Sequence, residues 1–106
     1  MADRYRVKFN EEALSDIDQI HQYVSQDASP AAAASVIEQL IAAVDSLEFL
    51  PAKFRRVGRS KSTGLPIHST VVAESFIVYY RVDHDRRLVT VMTFRHGRRK
   101  QPRRFA

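Results

Sequence analysis

Residues 75–99 read SFIVYYRVDHDRRLVTVMTFRHGRR. Phe76, Val78, Tyr80 and Val82 alternate with Ile77, Tyr79 and Arg81. After a break, Leu88, Thr90, Met92 and Phe94 alternate with Val89, Val91, Thr93 and Arg95. Period-two alternation of β-branched and aromatic residues is the pattern of a pleated strand with two unlike faces. Asp83, His84 and Asp85 interrupt it with turn-forming polar residues. The spacing therefore predicts a hairpin that runs straight into a basic tail with His96 at its root. Phe76, Val78, Tyr80 and Val82 are expected to face a core, leaving Ile77, Tyr79 and Arg81 on the other side. Arg95 shares a register with Val89, Val91 and Thr93, so Arg81, Arg95 and His96 are expected near one open, basic edge.

Moving toward the N-terminus, residues 73–75 read as a short turn and residues 65–72, LPIHSTVV, as a further strand that Pro66 confines to an edge at its start. Residues 52–64, AKFRRVGRSKSTG, carry Lys53, Arg55, Arg56, Arg59 and Lys61 with two glycines, and read as an exposed connection. Residues 30–47 predict a helix. Ser29 suits its cap, Pro30 its first position, and Ala33, Val36, Ile37, Leu40, Ile41, Val44 and Leu47 form its stripe. Residues 11–26 predict another, capped by Asn10, with Leu14, Ile17, Ile20 and Val24 on one side and Asp16, Asp18 and Gln19 mainly on the other. His21 borders that stripe and reads as a structural or surface residue. Residues 4–9 alternate Tyr5, Val7 and Phe9 with Arg4, Arg6 and Lys8, which predicts an opening strand.

The order is strand, helix, helix, strand, strand, strand. A short link between the helices favours an antiparallel helical hairpin, and three consecutive strands favour a meander that the hairpin covers on one face. The expected architecture is α+β, a β-α-α-β-β-β chain with a small antiparallel sheet. It is expected as one domain over residues 1–106, with a basic tail from about residue 95.

The chain has no cysteine, so disulfides and thiolate metal sites are excluded. No stretch is expected to reach the roughly 20 apolar residues of a membrane helix, and MADRYRVKF lacks the apolar core of a signal peptide. A cytoplasmic location with no membrane partner is the expectation. Residues 1–48 hold three basic and nine acidic residues, a net −6. Residues 49–106 hold fourteen basic and three acidic, a net +11, which gives the overall +5. This polarity points the C-terminal half at a polyanion or an acidic protein.

The histidines, His21, His68, His84 and His96, have no metal-binding spacing, and Gly58 and Gly64 lack the strand–loop–helix setting of a phosphate loop. No cofactor or metal is expected. What composition permits is recognition of nucleic acid, or its cleavage without metal. Cleavage needs a base, an acid and cations for the phosphate charge. Histidine is a side chain suited to acid or base work, which His96 could supply, and Arg81, Arg95, Arg98 and Arg99 can hold phosphate.

The opening YRVKFNEEALSDIDQIHQYV has a strand, an alanine just after the helix start, and the run Asp16, Ile17, Ile20, Tyr23. The second helix closes with Leu47 and Pro51. The third strand carries Ile77-Val78-Tyr79-Tyr80-Arg81-Val82, and His96-Gly97-Arg98-Arg99 follows the last strand. In order and spacing these features resemble the ParE branch of the RelE/ParE toxin superfamily, the toxins of bacterial type II toxin–antitoxin pairs. The resemblance spans nearly the whole chain. It implies a cognate ParD-like antitoxin, a toxin–antitoxin hetero-oligomer, arrest of growth and a role in plasmid stabilisation. It also implies one of two targets: DNA gyrase, inhibited by binding, or messenger RNA cut on the ribosome.

The strand LPIHSTVV has no arginine or lysine where nucleases of the RelE branch place catalytic cations, which favours gyrase and a non-enzymatic mode of action. The implied target-binding residues are Arg81, Arg95, His96, Arg98, Arg99 and Lys100, with Arg103 further along. In the alternative, a metal-independent endoribonuclease, Arg81 and His96 would carry catalysis. The tail KQPRRFA extends past the usual ending of the branch. A module that binds only an antitoxin and operator DNA is a third reading.

Overall fold

A computed structural model describes residues 4–97. Chain order is β1 (Arg6–Phe9), α1 (Glu11–Asp27), α2 (Pro30–Asp45), two 3-10 turns (Ser46–Glu48 and Pro51–Lys53), β2 (Arg55–Arg59), β3 (Pro66–Val72), β4 (Phe76–Asp83) and β5 (Leu88–His96). The strands form one five-stranded sheet in the order β1-β5-β4-β3-β2. The α+β class, the helical pair and the β3-β4-β5 meander are as the sequence implies.

Two features differ from the expected antiparallel four-strand sheet. First, β1 lies parallel to β5, with Arg6 opposite Leu88 and Phe9 opposite Val91. A parallel neighbour needs a long crossover, and here every later element intervenes. Second, the basic connection contains β2, antiparallel to β3. Its charges and glycine hide it in the sequence. An outermost strand tolerates exposed cations, however, and pairing there satisfies backbone groups of β3.

Each helix begins at a side-chain cap. Asn10 accepts from the Ala13 amide at 2.9 Å and Ser29 from the Ala32 amide at 3.0 Å. Helix α1 buries Ala13 and Ile20, and α2 buries Ala33, Leu40 and Val44. These meet Val72, Phe76, Val78, Val91 and Phe94 of the sheet. A second cluster joins Leu47 to Tyr80, Val82 and Val89. The set Phe76, Val78, Tyr80, Val82 thus faces the core as expected. Contrary to expectation, residues 30–48 form a 19-residue helical stretch long and apolar enough to cross a bilayer. Ala33, Leu40, Val44 and Leu47 of that stretch are buried within the fold.

The expected register of the last strand is corrected. Tyr79 lies opposite Thr93 but Tyr80 lies opposite Val91, so β5 carries a bulge at Met92. The bulge resets the alternation: Val89 and Val91 share the core side with Phe94.

The β3–β4 turn places Ala73 and Glu74 at φ 50° and 65°. Side chains there crowd their own backbone, a strain that glycine escapes. Glu74→Gly is expected to raise stability by about 0.5 kcal/mol, strain relief exceeding the added chain entropy, measured as a rise in the urea midpoint. A fall would show that the Glu74 side chain holds the turn.

Candidate functional site

The end of the sheet where β4 starts and β5 stops carries the chemistry. Strand β1 ends opposite Val91, so beyond that point the outer edge of β5 has no strand neighbour among the described residues. Helix α1 takes its place. The Asp16 carboxylate accepts the Thr93 hydroxyl at 2.6 Å and the Phe94 amide at 3.0 Å through the same oxygen. An open strand edge is thus tied to the helix by a charge-assisted clamp. The helical pattern places Asp16 mainly on the solvated side; in the structure it is half-buried and holds α1 to β5. Its signal was the Asp16, Ile17, Ile20, Tyr23 run.

Past the clamp, Arg95 pairs with Glu12 of α1 at 3.2 Å. His96 lies edge-on to Phe76 at 5.3 Å and to Tyr23 at 6.3 Å between ring centroids. Arg95, His96, Phe76 and Tyr23, with Asp16, Gln19, Ile20 and Phe94, line a cavity of about 300 Å³ between α1 and the sheet. Gly97 follows, its amide donating to the Ser75 carbonyl at 2.6 Å. A Cβ at Gly97 would come within 3.1 Å of that oxygen, so glycine allows the closest approach of the departing chain to the β3–β4 turn. Arg98, Arg99 and Lys100, and Arg103 beyond them, lie outside the described residues.

Arg81 is not part of this group. His96 sits opposite Phe76 at the start of β4, whereas Arg81 sits opposite Thr90 near its end. Along β5 that separates Arg81 from Arg95 by roughly 15 Å. The expected single basic edge is therefore two places, because the antiparallel turn sends the two residues to opposite ends of the hairpin. The face bearing Arg81 is also less open than expected. By register Ile67, Tyr79 and Thr90 belong to it, and they are 0%, 5% and 4% exposed. Burial pushes the Tyr79 hydroxyl above its ordinary pKa, and nearby Arg95 pulls partly the other way.

The remaining histidines serve other ends. His21 is exposed on α1, as the sequence reading allowed. His68 is buried, stacked on Tyr80 at 5.5 Å and hydrogen-bonded through Nδ1 to the Phe54 carbonyl at 2.9 Å. His84 meets the Tyr5 hydroxyl at 2.7 Å. The residue that sequence reasoning missed is Arg55. It stands opposite Ser69, itself opposite Tyr79, so β2 brings a cation to the row beside Arg81.

The family model described as the ParE toxin of the type II toxin–antitoxin system parDE matches residues 7–101. The chain belongs to the ParE toxin family. A curated relative from Sinorhizobium fredii (strain NBRC 101917 / NGR234), named "Putative toxin Y4kP", is 38% identical over 90 residues, covering 84% of this chain and 88% of the relative. Among solved structures, the chromosomal ParDE system from P. aeruginosa superposes with a TM-score of 0.69 at 16% identity, covering 90% of this chain and 98% of the other. The archaeal RelE–RelB complex from Pyrococcus horikoshii OT3 gives 0.61 at 15% identity, covering 92% and 99%. These two share the fold with this ParE-family chain.

Proposed function

We propose that this ParE-family toxin arrests growth by binding DNA gyrase through the surface where β5 ends, and that a ParD-like antitoxin neutralises it in a hetero-oligomer within the cytoplasm. The contact would centre on Arg95 and His96, continuing into Arg98, Arg99 and Lys100. The observation that carries this reading is the separation of Arg81 from His96. A nuclease must bring its acid or base and its phosphate-holding cation to one phosphate, whereas a binding surface needs only a rigid frame that presents its charges.

A second reading, ribosome-dependent cleavage of messenger RNA, draws support from Arg55. The strand LPIHSTVV lacks cations, but β2 supplies one in the row next to Arg81. Controlled expression with parallel measurements separates the two. Arg81→Ala is expected to leave gyrase inhibition within about twofold of the parent, while replacing Arg98, Arg99 and Lys100 together by alanine abolishes it. The supercoiling assay with purified protein reads this, and primer extension on translated messages reads cleavage. Normal supercoiling with excess toxin, together with message cleavage that Arg81→Ala abolishes, would overturn the gyrase reading.

A further inference from the structure

The outermost strand, β2, is unlike the rest of the sheet. Its inner side pairs with β3 and its outer side faces no strand among the described residues. Arg55, Arg56 and Arg59 are exposed, and exposed Lys53 and Lys61 flank them. Among the described residues no carboxylate pairs with any of the five: Arg59 reaches only the Gly64 carbonyl, at 2.9 Å, and Lys53 lies over the Phe54 ring, 5.1 Å from its centroid. Register places Arg56 and Arg59, opposite His68 and Pro66, on one face of the sheet and Arg55, opposite Ser69, on the other. Cations therefore flank the bare edge on both sides.

Gly58 adds a second observation. A Cβ there would meet nothing within 4 Å, and Gly58 is not among the positive-φ residues. The register of β2 against β3 shifts between Arg56 and Gly58, so the glycine follows a bulge, a usual place for one in a strand. Its missing side chain also leaves the strand unobstructed there.

We propose that the outer edge of β2 docks an acidic, extended segment of a partner protein, which adds to the sheet as a sixth strand. The proposal rests on the reading of this chain as a toxin neutralised by a protein, and it names the surface and the chemistry that partner would use. Exposed N–H and C=O groups on a strand edge suit an extended peptide. The guanidiniums then select among peptides. They set the arginines of a second copy against each other, which discourages self-pairing, and they attract alternating acidic side chains. A nucleic acid would engage the cations but leave the backbone edge unused.

The test uses the full-length, ¹⁵N-labelled chain and a blocked peptide of alternating Glu and Val as probe. Amide shifts and slowed amide exchange are expected at residues 55–59. N-methylation along one edge of the peptide keeps its charge and removes its strand pairing, and is expected to weaken binding about tenfold. Charge reversal in the R55E/R56E/R59E variant, checked for unchanged circular dichroism, is expected to abolish binding of this peptide and to admit a Lys–Val peptide instead.

Equal binding by the methylated peptide, or by oligothymidylate, would overturn strand addition in favour of simple polyanion binding. Concentration-dependent self-association through β2 would overturn it in favour of a second copy. A chain that stops growth and is rescued by its antitoxin, yet shows no response at residues 55–59, would defeat this inference alone. A chain that binds the peptide but leaves growth and supercoiling normal would defeat only the functional reading.

Discussion

Asp16→Ala lowers the stability of the domain by about 3 kcal/mol, a large part of what a domain of this size possesses. The carboxylate oxygen accepts two hydrogen bonds from β5, one from the Thr93 hydroxyl and one from the Phe94 amide. Hydrogen bonds to a charged group contribute about 1.5–3 kcal/mol each. Removing the acceptor also leaves a buried hydroxyl and an edge amide without partners, since Thr93 and Phe94 are 4% and 3% exposed. Asp16→Asn keeps an oxygen of the same shape and is expected to cost only about 1 kcal/mol. Urea unfolding of both variants measures this. Equal losses would mean that charge, and not acceptor geometry, ties α1 to the sheet. No loss in either would mean that the clamp is incidental. In the alanine variant, amide exchange should rise first over residues 92–96, because that segment depends on α1 for its outer edge.

Tyr80→Phe is the second large effect. Tyr80 is fully buried and donates its hydroxyl proton to the Pro51 carbonyl, joining β4 to the turn that leads into β2. Deleting the hydroxyl strands a carbonyl and is expected to cost about 1–2 kcal/mol at neutral pH. The parent carries a further signature that phenylalanine erases. Burial pushes the Tyr80 hydroxyl far above the ordinary tyrosine range, so the folded chain stays neutral there after the unfolded chain ionises. Tyr80 therefore contributes its full stability below about pH 10 and loses roughly 1.4 kcal/mol for each further pH unit. The alkaline loss of stability should be clearly shallower in Tyr80→Phe, with the remainder owed partly to Tyr79, which shifts in the same direction. Identical alkaline limbs for parent and variant would show that Tyr80 does not control this transition.

How much of this was legible in the residues follows from what each pattern encodes. Stripes on the helices and alternation on β4 report burial, and burial is what forms the core. Hence Ile20, Leu40, Val78 and Tyr80 are where the sequence puts them. Caps at Asn10 and Ser29 are local chemistry and were equally plain. Strand β2 was not, because its pairing comes from an unfilled edge of β3 and not from its own side chains. The bulge at Met92 was not either. One extra residue inverts the apparent alternation of β5, so an unbroken alternation implies the wrong face for its first half. At the site, the residues at the end of β5 were recognisable as a group. The distance to Arg81 and the roles of Asp16 and Arg55 depend on pairings between strands far apart in sequence, which no local pattern records.

The parallel pairing of β1 with β5 also sets a clock. The first strand to be synthesised finds its neighbour only in the last one, and β5 is also the strand that joins β1 to β4. A nascent chain that has made its helices still cannot close the sheet, since long-range pairings of this kind form late. The clamp at Asp16 and the frame around His96 both depend on β5. The two strands can therefore pair only after the whole segment between them has been synthesised, and the surface at the end of β5 is completed no earlier.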